Sequence, residues 1–354
     1  MSEIEYPGVY VEEVPLGVAP IAGVETSTTG FIGAVGSAEP CAPVHVRSLV
    51  EFERAFARVE VALALGAAVA QFFENGGSDA WVVGLPGGVP LSAGLECLDA
   101  VETLGLLCLP GETSIDVLLA AIEYAERRHA FAVIDPPGTE VAGTCAYVEA
   151  LAESGSANAA VYFPPFGGGD PPSGAVAGTY ARVDRERGVW KAPAGEEAVL
   201  RGAVLPAVDL TEDESSRLNS AAVNAIRRFP NEGVRVWGAR TIQGADQRDS
   251  EWKYVPVRRL GLYVEHSIDR GIQWAVSEPN DESTWARLRQ QIAVFLTGFF
   301  RLGAFAGRTP DESYFVRCGN DTMTQDDIDN GRLNIVIGIA PLKPAEFVIF
   351  RMRL

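Results

Sequence analysis

Apolar residues recur with two different periods along this chain, and its first half is a regular succession of both. Short apolar runs read as strands: GFIGAVG (30–36), VHVR (44–47), DAWVVGLP (79–86), LGLLCLP (104–110), AFAVIDPP (130–137) and ANAAVYFPPF (157–166). They show little alternation with polar residues, so the pattern predicts strands buried on both faces, as in a largely parallel sheet. Between them lie helical patterns. Ser48 with Glu51 three residues later opens one that runs to about Ala57. LALGAAVAQFFENGG (63–77) is a second, stopped at Asn75 and Gly76. SIDVLLAAIEYAERRH (114–129) is a third, and a fourth covers about 143–154. Strands alternating with helices of about ten to fifteen residues predict a layered α/β domain.

The second half changes tone. Proline and glycine crowd FPPFGGGDPPSGAVAG (163–178), which marks a loop before a helix ending near Gly188. VRVWGARTI (234–242) and GIQWAVSEP (271–279) read as strands, and VPVRRLGLYVEHSI (255–268) reads as a helix. NDESTWARLRQQIAVFLTGFFRLG (280–303) is the longest helix. It carries Trp285, Leu288, Ile292, Phe295, Leu296 and Phe299 on one face, with Arg287, Arg289, Gln290 and Gln291 mostly off it. Thr309, Pro310 and Glu312 read as a capped helix start. Thr324 and Asp327 open a short helix that Gly331 stops. Two alternating strands end the chain: Leu333, Ile335, Ile337 and Ile339 share one face, then Val348, Phe350, Met352 and Leu354. The expected fold is therefore α/β (α+β), a layered α/β domain followed by a second α+β domain.

Both termini are extended and apolar. YPGVYVEEVP (6–15) holds strand formers between Pro7 and Pro15, with Pro20 beyond, a composition suited to an edge strand or an extended arm. No second strand follows within hairpin distance. The backbone donors and acceptors of this segment therefore need a partner elsewhere.

Charge and chemistry narrow the function. The chain has 354 residues with 29 Lys and Arg against 47 Asp and Glu, a formal net charge of −18. That argues against a broad basic face and non-specific nucleic-acid binding. The start has no basic, apolar leader pattern, and IAVFLTGFF (292–300) is too short to cross a bilayer. Synthesis and folding in the cytosol, without membrane insertion, are expected. Cys41, Cys97, Cys108, Cys145 and Cys318 are scattered and never form CxxC, so they read as small structural hydrophobes in reduced form. There is no phosphate-binding GxxxxGK[ST], no HExxH and no GxSxG, so no catalytic, cofactor or metal site is expected. One region departs from the acidic background. Residues 224–260 carry eight Lys and Arg against four Asp and Glu, interleaved with Phe229, Trp237, Trp252 and Tyr254. Three readings are open: a single-stranded nucleic-acid surface, a contact surface for acidic partners including other copies, or arginines paired within the fold.

Several stretches resemble the contractile tail sheath proteins of bacteriophages and phage-like injection particles. They are YPGVYVEEVPLGVAPIAGVETSTTGFIG (6–33), FFENGGSDAWVV (72–83), SGAVAGTYARVDRERGVWKAPAG (173–195) and NAIRRFPNEGVRVWGARTI (224–242). WKYVPVRRL (252–260), WAVSEPNDESTWARLR (274–289) and DDIDNGRLNIVIGIAPLKPAEFVIF (326–350) complete the match, which spans nearly the whole chain in order. The resemblance is to the compact sheath of extracellular contractile injection systems. It implies an arm at 1–29, an outer α/β domain at 30–205, a C-terminal core domain facing an inner tube at 206–340, and a C-terminal strand at 341–354. It further implies that Tyr6, Pro7, Gly8, Val9, Tyr10 and Val11, with Phe347, Val348, Ile349 and Phe350, contact neighbouring subunits by strand addition. The implied partners are other copies of the chain, an inner tube protein, and baseplate and terminator or cap proteins. Assembly would occur in the bacterial cytoplasm, as part of a phage-tail-like particle. Arg287 and Arg289, with Asp326 and Asp327, are the candidate tube-facing residues. An α/β enzyme, or a binding module using 224–260, are the competing classes.

Overall fold

The computed structural model describes residues 20–36, 42–57, 61–202 and 204–342, and the backbone of 348–353. The expected arm contacts at Tyr6 to Val11, and Phe347, lie outside the described residues.

The first half follows the predicted succession. It runs β1 (Thr29–Val35), β2 (Val44–Val46), α1 (Leu49–Ala55), α2 (Leu63–Glu74), β3 (Ala80–Pro86), β4 (Leu106–Cys108), α3 (Ile115–Arg127), β5 (Phe131–Ile134), α4 (Val141–Ala152), β6 (Ala159–Phe163) and α5 (Ser173–Arg187). Then come α6 (Glu212–Ser220), β7 (Val223–Phe229) and β8 (Gly233–Val236). These eight strands form one sheet in the order β2-β3-β1-β4-β5-β6-β7-β8. β3 through β7 pair in parallel, and antiparallel strands close both edges. The missing polar alternation now has its cause. Ile32, Leu107, Ile134 and Phe163 enter the core beneath α3 and α4. Their neighbours Phe31, Cys108, Val133 and Tyr162 enter the core beneath α2 and α5.

The sheet does not stop at residue 205. β7 and β8 complete it, and Ile242 and Ala245 still belong to its first core. The expected division at 205/206 therefore falls inside one domain, because β7 docks in parallel on β6 after a helical crossover. A third core begins on α7 (Val255–Gly271). It is completed by α8 (Glu282–Arg301), α9 (Pro310–Ser313), β9 (Tyr314–Arg317), α10 (Gln325–Asp329), β10 (Asn334–Ile339) and β11 (Val348–Arg353). The last three strands form an antiparallel sheet in the order β11-β10-β9. Ile335, Ile337 and Ile339 are buried beside Leu288, Ile292 and Leu296 of α8.

Local signals held unevenly. Thr324 and Asp327 cap each other reciprocally at α10, at 3.2 and 3.0 Å. Ser48 caps α1 at 3.2 Å, while Glu51 accepts from Arg47 N rather than from Ser48. Thr309 makes no side-chain cap, and Glu312 accepts instead from Arg308 N at 2.7 Å. Residues 271–279 are not a strand: Gln273–Ser277 is a short 3₁₀ segment, as a brief apolar run permits. Nor does the strand expected at 234–242 continue past Val236. Cys97 is disulfide-bonded, which corrects the expectation of five reduced thiols, while Cys108, Cys145 and Cys318 are free. Cys41 lies outside the described residues.

The largest departure is α5, which begins inside the stretch expected to be loop. Its residues from Ser173 to Val183 are all buried, because it lies between the sheet and α2. Small residues permit this. A Cβ on Gly174 would lie 2.0 Å from the Ala68 carbonyl oxygen, and one on Gly178 would lie 2.3 Å from that of Phe72. Backbone meets backbone there. Gly174→Ala should therefore lower stability by about 1–3 kcal/mol through overpacking. An unchanged urea midpoint would mean that α2 and α5 can separate freely.

Candidate assembly site

Residues 20–28 are fastened between the two halves of the molecule. Ile21 is buried in the third core, against Gly271. Val24 N donates to Ser267 Oγ at 3.1 Å, and the Thr28 carbonyl accepts from Gly105 and Leu106 of the large sheet. At the centre, Arg259 of α7 donates to both oxygens of Asp184 on α5, at 2.8 and 2.6 Å. The same guanidinium donates to the Thr26 carbonyl at 3.0 Å, and Thr26 Oγ1 donates to Asp184 at 2.6 Å. The two charged side chains are only 3% and 5% exposed. Burial alone would lower the Arg259 pKa, but the charge and hydrogen bonds of Asp184 outweigh it and raise it. Arg259 also lies 4.6 Å from the Tyr180 ring centroid, and the Tyr180 hydroxyl bonds to that of Tyr162 in β6.

The rest of α7 continues this joint. Arg258 donates to Asn158 Oδ1 at 2.6 Å and packs 4.5 Å from the Trp252 ring. Farther along, His266 stacks on His129, with ring centroids 5.4 Å apart. His129 sits in the turn before β5 with φ of 51°, its Nδ1 3.7 Å from Glu265. A cavity of about 20 Å³ lies among Thr26, His129, Arg259, Tyr263 and His266. Burial, then His129 and Arg270, push His266 down to about 4; Asp269 opposes and Arg128 adds to the fall.

The predicted tube-facing residues lie at one end of the C-terminal domain and are engaged within the chain. Arg287 packs 4.2 Å from the Trp274 ring and 3.5 Å from Glu278. Arg289 pairs with Glu282 at 2.6 Å and donates to the Cys318 carbonyl. Asp326 and Asp327 both pair with Arg332, and Asp327 also caps α10. Asn280 joins the two groups: it accepts from Trp285 of α8 and donates to the Arg332 carbonyl at 3.2 Å. A feature that the charge-based reading missed is an uncharged exposed stripe along α8, Ala286, Gln290, Val294 and Gly298, continued by Leu302 at its C-terminal cap. Its four-residue spacing was visible in the sequence. Of the other named residues, Val348, Ile349 and Phe350 lie in β11, opposite Ile339, Gly338 and Ile337 of the same chain.

The basic region 224–260 is occupied internally. Arg227 pairs with Glu212, Arg228 with Asp209, and Arg235 with Glu232. Arg240 and Lys253 both reach Asp246 at 2.8 Å, and their hydrogen bonds hold that carboxyl at about 2. Arg258 and Arg259 serve the joint. Of the three open readings, pairing within the fold is the one these contacts support.

The strand ends where open α/β sheets bind ligands hold a buried carboxylate, Asp135. Burial pushes it up to about 6, against hydrogen bonds from Gly111 and Ser173. Its oxygens accept from Gly111 N and from Ser173 N and Oγ at 2.8–3.0 Å, so it ties β5 to the start of α5. Among the described residues, no group of three His, Cys, Asp or Glu side chains is placed to hold a metal. No described helix is long and apolar enough to cross a membrane.

Comparison with known proteins identifies the family. The phage tail sheath protein central domain matches residues 92–242, and the phage tail sheath C-terminal domain matches residues 247–354. A putative prophage major tail sheath protein of Pseudomonas aeruginosa (strain UCBPP-PA14) is 26% identical over 387 residues, spanning 98% of this chain and 96% of that protein. The contracted sheath of the PVC extracellular contractile injection system is 32% identical, with a TM-score of 0.80, covering 99% of this chain and 98% of that one. The contracted helical sheath of the anti-feeding prophage is 30% identical, with a TM-score of 0.76, covering 99% of each chain. The chain belongs to the phage tail sheath family.

Two outcomes test the joint. Asp184→Ala leaves Arg259 buried and unpaired and should cost about 3–5 kcal/mol, whereas Asp184→Leu with Arg259→Met should recover most of that loss. Equal denaturation midpoints for wild type and Asp184→Ala would show that the pair does not hold the halves together. His266 supplies a pH signature. From its ordinary value near 6.5 down to about 4, the unfolded chain binds a proton there that the folded chain does not. Stability should therefore fall as pH drops through that window. His266→Gln should flatten that part of the melting curve against pH, and parallel curves would remove His266 from the account.

Proposed function

We propose that this chain is the repeating subunit of a helical contractile sheath, and that its contraction drives an inner tube through a target envelope. The observation that carries this is end-to-end similarity to the PVC sheath, 32% identical over 99% of the chain at a TM-score of 0.80. The role is mechanical rather than catalytic. Its partners are further copies of itself, the tube, the baseplate and a terminal cap. Assembly takes place in the bacterial cytoplasm, before the particle acts outside the cell.

The linkage proposed is strand exchange. Tyr6, Pro7, Gly8, Val9, Tyr10 and Val11 form an arm that adds to a neighbour's small sheet, and Phe347, Val348, Ile349 and Phe350 belong to a C-terminal strand that takes part in the same mesh. In the single chain, β11 closes on its own β10. The same register made by a neighbour's strand is a domain swap, which links copies without a new kind of contact. The contact is head-to-tail, so it propagates as a filament instead of closing as a dimer. Rigid bodies can then rotate between two packings while the strands keep neighbours joined. The end of the C-terminal domain that carries Arg287, Arg289, Asp326 and Asp327 is the proposed tube-facing surface.

Deleting residues 2–15 should leave a folded body that builds no contractile sheath. Negative-stain microscopy of the variant co-expressed with tube and baseplate checks this. Normal sheaths that still contract would place the arm within its own subunit.

A further inference from the structure

The two domains meet along α7, and the two halves of that helix meet the large-sheet domain by different means. The first half is anchored by apolar burial and by the Arg259–Asp184 pair, with Val255 and Leu262 belonging to a core of the large sheet. Beyond Leu262 the buried apolar residues of α7, Val264 and Ile268, turn to the third core. The contacts that this later half makes with the large-sheet domain are chiefly polar. His266 stacks on His129, while Arg270 pairs with Glu102 and donates to Thr103 Oγ1 at 2.8 Å. Parting these groups uncovers side chains that water solvates well, whereas parting the first half would strip a core and a buried ion pair.

The segment 20–28 straddles the same line. Ile21 packs against Gly271, a Cβ on Gly23 would lie 1.9 Å from the Tyr263 hydroxyl, and Val24 N donates to Ser267 Oγ. All three contacts are with the later half of α7. Thr26 is bound instead to Asp184, and Thr28 to Asp79 and the large sheet. Glu25 lies between the two sets and lines the same small cavity as His129, Arg259 and His266.

The charges around the histidine pair are arranged against further positive charge. On α7, Glu265 is already engaged, 3.8 Å from Arg258 and 3.7 Å from His129 Nδ1. From α3 and its end, Arg128 acts on His266 and Glu126 on Arg258. Glu102, before β4, is taken up by Arg270. Burial, His129, Arg270 and Arg128 oppose a charge on His266, and Asp269 favours it.

We propose that the His129–His266 stack is an acid-released latch: when the pair gains charge, the later half of α7 parts from the large-sheet domain, pivoting on Arg259, while both domains keep their cores. Residues 20–24 travel with α7 and residues 26–28 stay with the large sheet, so the bend falls at Glu25. The folded value of His266, about 4, lies below its ordinary value of about 6.5. The parted state therefore binds a proton that the closed state refuses, and closure that is complete above the ordinary value is lost as pH falls toward the folded one. Between pH 7 and pH 5 this one group raises the ratio of parted to closed chains by about twentyfold.

A distance measurement between spin labels on the full chain tests the latch. Exposed Glu123 of α3 and exposed Val276 beyond α7 are replaced by labelled cysteines, in a chain carrying Cys145→Ser because Cys145 is a free, partly exposed thiol. One distance is expected at pH 7, and a second, longer one should grow at pH 5 with an unchanged far-UV spectrum. His129→Gln with His266→Gln should abolish the acid population, and His266→Gln alone replaces that variant if it fails to fold. The same distances at both pH values would overturn the latch. So would an acid population that survives in the histidine variant, or one that appears together with loss of the far-UV signal, which marks unfolding of the whole chain.

Discussion

The ion pair between Arg259 and Asp184 is the constraint on which the arrangement of the molecule depends. Two opposite charges this deeply buried are tolerable only if both are paired and hydrogen-bonded. Here the remaining capacity of each goes to Thr26. A single node therefore ties together α5 of the large sheet's domain, α7 of the C-terminal domain and the segment leading from the chain's start. None of the three can shift far without stranding a buried charge. Thr26, and with it the segment 20–28, is thereby fixed to both bodies.

The node is possible because α5 lies so deep. Its glycines bring it against the backbone of α2, and Asn75 at the end of α2 accepts from Arg201 N while its carbonyl accepts from Arg182. Buried polar groups here are satisfied largely by backbone partners. The C-terminal domain is organised differently, with one long helix, a three-stranded sheet and an edge strand at its margin.

Much of this was legible in the sequence. Unbroken apolar strands such as AAVYF announced burial on both faces, and the Ile335, Ile337, Ile339 alternation announced a one-sided sheet. The Thr324 and Asp327 cap was also visible, since its partners are three residues apart. What misled were sites where a local signal had more than one physical solution. Gly174 and Gly178 read as loop residues, yet their lack of a side chain serves close helix packing. The apolar run around Trp274 was too short to distinguish strand from helix. The stretch that forms β7 carried no strong periodicity and went unassigned, and the strand read at 234–242 was placed in the second domain, so the domain boundary was drawn too early.

The assembly site divides along the same line. That strand formers cluster near both ends of the chain is a property of composition and alternation, and the sequence alone determined it. Which charges remain outward and which are consumed inside was decided only by tertiary structure. The arginines of 224–260 look in sequence like one basic surface, but folding sets them against Glu212, Asp209, Asp246, Glu265 and Asp184, residues up to 75 positions away. Ion pairing depends on distances of a few ångströms in space, and no local pattern encodes which distant carboxylate will arrive there.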